Sequence, residues 1–190
     1  SYGRNNFIHD TSRSYVGGEL DGTVVVRCGV QDIGCGQCSS LAQIAAEVLG
    51  VALSDVSVYY GDSALTPLAG TTTATRQLYM SGNATWKAAK VVRNNLARIA
   101  GEQLKTKPTN LVFKGNKITA PDGNSLSLDT VIKSCAGQGI ELYAIEQFNA
   151  PAKDLINFKT GQGQVFSDFT FGTIAMEVAV DTETGKVDVL

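Results

Sequence analysis

The spacing of apolar positions divides the chain into short periodic segments separated by turn residues. After the Asp21-Gly22 turn, Thr23-Val-Val-Val-Arg-Cys28 is a β-branched run that predicts a strand. Glycines at 29, 34 and 36 interrupt the pattern. Leu41, Ile44, Ala45 and Val48 then fall at i, i+3, i+4 and i+7, which predicts a helix from Ser39 or Ser40 to about Leu49, with Gly50 as its stop. Val56-Ser-Val-Tyr-Tyr60 predicts a second strand. Residues 23–60 thus read as a β-α-β unit whose strands run parallel if they are neighbours.

A loop from Gly61 to about Arg76 leads into the longest predicted helix, residues 77–100, with Thr85, Ala88, Val92, Leu96 and Ile99 on one face. The first half of this helix is rich in small residues (Ser81, Gly82, Ala84, Ala88, Ala89), which allow another backbone or a flat ligand to come close. Trp86 is expected to anchor the core. Residues 1–20 read as an irregular lead-in. Further on, Leu111–Ile118 predicts a hairpin around Gly115-Asn116, Pro121–Asn124 a turn, Leu128–Ala136 a short helix and Glu141–Phe148 a strand. Residues 149–170 look loop-like. Phe171–Val180 predicts a strand that turns at Asp181–Gly185 into a last one.

These elements predict an α+β fold, β-α-β units with two main helices packed on a mixed sheet. A single domain over 1–190 is expected, divisible into subdomains of about 1–105 and 106–190. The last strand runs up to Leu190, as expected of a piece of a longer chain.

Composition narrows the function classes. An apolar content of 43% with 18% charged residues is that of ordinary globular proteins. No apolar run approaches the ~20 residues of a membrane span, and no signal peptide is visible, so a cytoplasmic location is expected. The net charge of −2 and the lack of a Lys/Arg cluster argue against nucleic acid as a partner. Cys28, Cys35, Cys38 and Cys135 are expected to be reduced. Cys35-Gly-Gln-Cys38 is formally a CxxC pair, open to a thiol redox reading or to a plain tight loop. As a zinc site it lacks further ligands, the one histidine being His9.

Two loops carry candidate chemistry. Gly34-Cys35-Gly36-Gln37 follows a strand and opens a helix, where first-turn amides and glycines favour an anion. Such a G-x-G also occurs in ordinary turns, and Ser39 replaces the third glycine of a dinucleotide fingerprint. Thr71-Thr72-Thr73-Ala74-Thr75-Arg76-Gln77 has the same placement, with hydroxyl donors and a guanidinium suited to phosphate. A solvated, threonine-rich cap is the alternative. If the two helices pack side by side, the loops become neighbours.

The ordered set Asp21–Gly36, Leu65–Gln77, Ser81-Gly-Asn-Ala84 and Phe171–Gly185 resembles the molybdenum hydroxylase family, which includes xanthine dehydrogenases and aldehyde oxidases. The matched parts are its DG-turn and D-x-G-Q-G loop, its S/T-rich loop, its small-residue helix and its strand ending in V-D-x-x-T-G. The resemblance implies the second molybdenum-binding region of a large subunit, with a molybdenum-pterin cofactor, in bacteria often as the cytosine dinucleotide. It implies hydroxylation of an aldehyde or N-heterocycle with oxygen from water. Partners would be the remaining molybdenum-binding domains and iron–sulfur and, commonly, flavin domains or subunits. The glycine loop (Gly34, Cys35, Gly36, Gln37) would touch the pterin, and the loop Thr72, Thr73, Ala74, Thr75, Arg76 and Gln77 would hold its phosphate end. The family's catalytic glutamate, in a G-V-G-E-P motif, has no counterpart in these residues, so no catalytic residue is assigned and the isolated chain is expected to be inactive and to bind no cofactor. Cys35 stands where the family usually has glutamine, and cannot offer its amide hydrogen bonds. Rival readings are a CxxC redox protein, a small nucleotide-binding transferase, or an interaction module without a ligand.

Overall fold

The computed structural model describes residues 2–3, 11–73, 75–150, 157–163, 166–168 and 171–190. In chain order the elements are β1 (Tyr2–Gly3), β2 (Thr11–Gly18), β3 (Val24–Cys28), α1 (Gln37–Leu49), β4 (Val56–Tyr60), α2 (Arg76–Gln103), β5 (Val112–Lys114), β6 (Lys117–Thr119), β7 (Ser125–Ser127), α3 (Leu128–Gly137), β8 (Tyr143–Asn149), β9 (Phe166–Asp168), β10 (Val178–Val180) and β11 (Val187–Val189). The architecture is α+β. A four-stranded mixed sheet in the order β4-β3-β2-β8 is parallel between β3 and β4 and antiparallel elsewhere.

The β3-α1-β4 unit forms as its pattern predicts, with Val24 opposite Val56 and Cys28 opposite Tyr60. Helix α1 begins two residues early, after Gly36, and ends at Gly50, both glycines being left-handed. Helix α2 packs on β2, β8 and α1. Its predicted stripe of Thr85, Ala88, Val92, Leu96 and Ile99 is buried throughout. A fully buried aliphatic side chain as large as Val, Leu or Ile contributes about 1.5–3 kcal/mol, so this stripe is a main source of core stability. The hairpin of β5 and β6 turns through Gly115 and Asn116, both at positive φ, as a tight primed turn requires.

Three expectations are corrected. Residues 11–18 are not an irregular lead-in but β2, a central strand. Its inward positions include Ser12 and Ser14, both fully buried, so its sequence lacks the apolar alternation of a half-buried strand. Hydroxyls on α2 meet them instead: Ser12 Oγ lies 2.8 Å from Ser81 Oγ, and Thr85 Oγ1 donates to Ser14 Oγ at 2.8 Å. Tyr2–Gly3 also pairs with β9, inside the segment expected to be loop, although much of 149–170 lies outside the described residues. Trp86 is not a core anchor. It is 43% exposed, with Lys90 Nζ 4.3 Å from its ring centre, at the edge of an apolar groove between α1 and α2 that Ile44, Val48 and Leu78 also line.

Helix α3 buries Leu128, Val131 and Ile132 as predicted, and Cys135 with them. Residues 171–190 are exposed throughout. Only Val178–Val180 of the longer predicted strand forms a ladder, with β11.

Candidate functional site

The glycine loop is organised by Asp32. Its Oδ1 accepts the backbone N–H of Gly34 at 2.9 Å and of Gly36 at 3.2 Å, folding the chain into the turn that opens α1. The Gly34 amide, with those of Gly36, Cys38 and Cys35 behind it, holds the Asp32 carboxyl below the usual carboxylate range. A fixed negative charge therefore already occupies the amide cluster expected to attract an anion. The D-x-G spacing was the available signal, because an aspartate commonly accepts the amide two residues on.

The threonine loop is organised by Arg76, which is buried at 5% exposure instead of projecting toward a ligand. Its Nη1 donates to the carbonyls of Ala69 (2.8 Å) and Thr71 (2.9 Å), and its Nη2 to the carbonyl of Thr11 (3.0 Å). Gly70 makes room for the guanidinium: a Cβ built there would sit 2.6 Å from Nη2, at φ 73°. The guanidinium is thus a cation that ties the loop to β2 through the Thr11 carbonyl. Gln77 is buried as well, donating from Nε2 to the Gly70 carbonyl (3.1 Å) and accepting at Oε1 from Ser81 Oγ (2.8 Å).

The two loops are joined at Thr72, whose hydroxyl donates to the Gln31 carbonyl (2.9 Å) and accepts from the Gln31 N–H (3.3 Å). Together they enclose a cleft of about 600 Å³. Among the residues assigned from the sequence, Cys35, Gln37, Thr72, Thr73, Thr75 and Gln77 line it. Gly34 and Gly36 lie in the loop beside it, Arg76 lies beneath, and Ala74 falls outside the described residues. Sequence reasoning missed Ile33, Ser40, Leu78 and Tyr79, which give the cleft apolar walls and one further aliphatic hydroxyl. No lysine or arginine is among its lining residues.

The four cysteines are free, with Cys35 exposed in the cleft. Burial, and after it the Asp32 charge, push the Cys38 thiol up, the reverse of the depressed pKa of a redox-active thiol. Among the described residues no group of three or more His, Cys, Asp or Glu side chains is placed to hold a metal ion, and no helix is long and apolar enough to cross a membrane. His9 lies outside the described residues.

The chain is similar to known proteins along most of its length. The family model described as "Molybdopterin cofactor-binding domain" matches residues 3–190. The chain is 30% identical to the aldehyde oxidoreductase molybdenum-binding subunit PaoC of Escherichia coli K12 over 98% of its own length and 22% of that protein's. It is 28% identical to a probable xanthine dehydrogenase subunit of Bacillus subtilis, covering 90% of the chain and 22% of the relative. The chain therefore spans about a fifth of the length of these relatives. Quinoline 2-oxidoreductase from Pseudomonas putida 86 shares its fold, with a TM-score of 0.68 and 23% identity over 73% of this chain and 19% of that one.

Proposed function

This chain belongs to the molybdopterin cofactor-binding domain family, and from that membership we propose that its two-loop cleft holds part of a molybdenum-pterin cofactor in the full-length protein. The convergence of both helix-opening loops on one cleft carries the reading. The residues fit such a group. At Gly34 and Gly36 an added Cβ would meet nothing within 4 Å, so a flat ligand can approach the backbone. The buried Oε1 of Gln37 has no partner among the described residues. A lining of amides, hydroxyls and apolar side chains without a cation suits a neutral, hydrogen-bonding ring more than a bare phosphate.

The roles divide accordingly. Gly34, Cys35, Gly36 and Gln37 face the pterin, with Asp32 keeping anions from that corner. The stretch from Thr73 to Gln77 receives the phosphate end through threonine hydroxyls and the first-turn amides of α2, the counter-charge coming from other segments of the protein. Thr72 and Arg76 hold the loops in place. When bound, the cofactor supplies the redox chemistry by which the whole protein hydroxylates an aldehyde or an N-heterocycle with oxygen from water. The names of relatives such as aldehyde oxidoreductase, xanthine dehydrogenase and nicotinate dehydrogenase support that class. Residues 1–190 form a single domain without a catalytic group, inactive and cofactor-free when isolated, and they work with the remaining molybdenum-binding domains and with iron–sulfur and flavin partners.

Thr73 is exposed at the cleft, so a Thr73→Trp substitution fills the space without entering the core. In the full-length protein it is expected to lower molybdenum per polypeptide at least about tenfold, equivalent to ~1.4 kcal/mol of binding, with an unchanged melting temperature of the cofactor-free form. Full molybdenum content in that variant refutes the assignment of the cleft.

A further inference from the structure

Gln37 is the first residue of α1 and only 9% exposed, yet its Oε1 has no hydrogen-bond partner among the described residues. An unpaired buried acceptor is a standing cost to the fold, and an apolar side chain of the same length would avoid it. The local donors are already committed, since the Gly34 and Gly36 amides point to Asp32. The same carboxylate makes this corner unsuitable for an anion. A carbonyl oxygen can only accept, so the complement it lacks is a neutral N–H.

We propose that Gln37 Oε1 accepts a hydrogen bond from an N–H of a nitrogen heterocycle bound in the cleft, an inference that rests on the cofactor-binding reading above. Ring and exocyclic N–H groups of this kind occur on a pterin and on a cytosine base. The contact fixes which edge of the ring faces α1, and it compensates for the Cys35 position, where a thiol offers no comparable acceptor.

The test uses the full-length protein carrying Gln37→Met, which keeps the length and removes the acceptor, or Gln37→Glu, which keeps the acceptor. The rate of molybdenum release to a chelator and the melting temperature of the cofactor-free form are measured for each. The Met variant is expected to release molybdenum about five- to tenfold faster, while its cofactor-free form melts no lower than the parent because the orphaned acceptor is gone. The Glu variant, whose carboxylate keeps the acceptor but adds a charge beside Asp32, is expected to release molybdenum more slowly than the Met variant. Equal acceleration in the Met variant for cofactor with and without its nucleotide assigns the N–H to the pterin, and acceleration confined to the dinucleotide form assigns it to the base. A Met variant that releases at the parent rate overturns the inference, as does a Glu variant that releases as fast as Met. If Thr73→Trp still empties the cleft in those cases, the cofactor-binding reading stands and only the Gln37 contact falls. If Thr73→Trp also retains molybdenum, both fall.

Discussion

The first three turns of α2 and the four that follow both bury one face, but the first bury polar groups that the second lack. Arg76, Gln77, Ser81 and Thr85 are inside at one end, beside Met80 and Ala84; Ala88, Val92, Leu96 and Ile99 are inside at the other. Apolar contacts lack direction, so the second half is held by volume and shape. Hydrogen bonds in a low-dielectric interior are directional, and each unmade one is costly, so the first half is held in one register against β2 and the loop 69–71. The directional half adjoins the cleft. The helix thus joins a stabilising segment to a positioning one, and the boundary falls near Thr85.

Substitutions at the two ends should separate these roles. Arg76→Ala is expected to be the most damaging, because it orphans the carbonyls of Thr11, Ala69 and Thr71 together. The buried Ala69 orphan costs about 1–3 kcal/mol and the part-buried Thr11 and Thr71 carbonyls less each, so a loss of roughly 2–5 kcal/mol should appear in urea denaturation. A surface arginine waiting for phosphate would give almost no change. Leu96→Ala, at the apolar end, should cost about 2–5 kcal/mol by leaving a cavity, without altering how fast any remaining folded full-length protein releases molybdenum. An effect on release as large as that of Thr73→Trp would erase the distinction between the halves. Ser81→Ala should cost about 1–2 kcal/mol, since Ser12 and Gln77 both lose a partner. Trp86→Ala, on the exposed side, should stay within about 1 kcal/mol, the scale of its contact with Lys90.

The smallest effect expected is a pH dependence at Asp32. Its carboxyl titrates below its unfolded value, so its contribution to stability is complete above about pH 4 and fades as the pH falls through the lowered native value. The stability difference between Asp32→Asn and the parent should therefore be present at neutral pH and narrow in acid. A difference that widens in acid would contradict the native hydrogen bonds.

How much could be read beforehand follows the same division. Val24–Cys28, α1, β4 and the apolar stripe of α2 were legible because their partners are generic, and periodicity alone predicts which face turns inward. Strand β2 was not, because Ser12 and Ser14 look like surface residues until the hydroxyls of Ser81 and Thr85, some seventy positions later, come opposite them. For the cleft, the glycine and threonine loops identified most of the lining, and side-by-side packing of α1 and α2 brought them together. What composition could not tell was where charges point. Arg76 and Asp32 both turned toward the backbone, one onto carbonyls and one onto amides, where each shapes a loop that it had been expected to arm or to leave alone.

The polar row beneath α2 also has a sense of travel. Because Gln77 Nε2 gives its hydrogen to the Gly70 carbonyl, its amide cannot be turned over, and Oε1 must receive. Ser81, donating its single proton to that oxygen, has none left for Ser12, so Ser12 must give its own to Ser81. The proton order at the centre of the sheet is thus dictated from the rim of the cleft, one hydroxyl at a time. Gln77→Glu would set an oxygen against the Gly70 carbonyl in place of the anchoring N–H, but a carboxylate only accepts, so Ser81 would still donate to residue 77 and the row would keep its order. Gln77→Met, which removes the acceptor as well, would free the Ser81 proton to go to Ser12 and release the row from its order, and the hydroxyl-proton signals of Ser12 and Ser81 would record it.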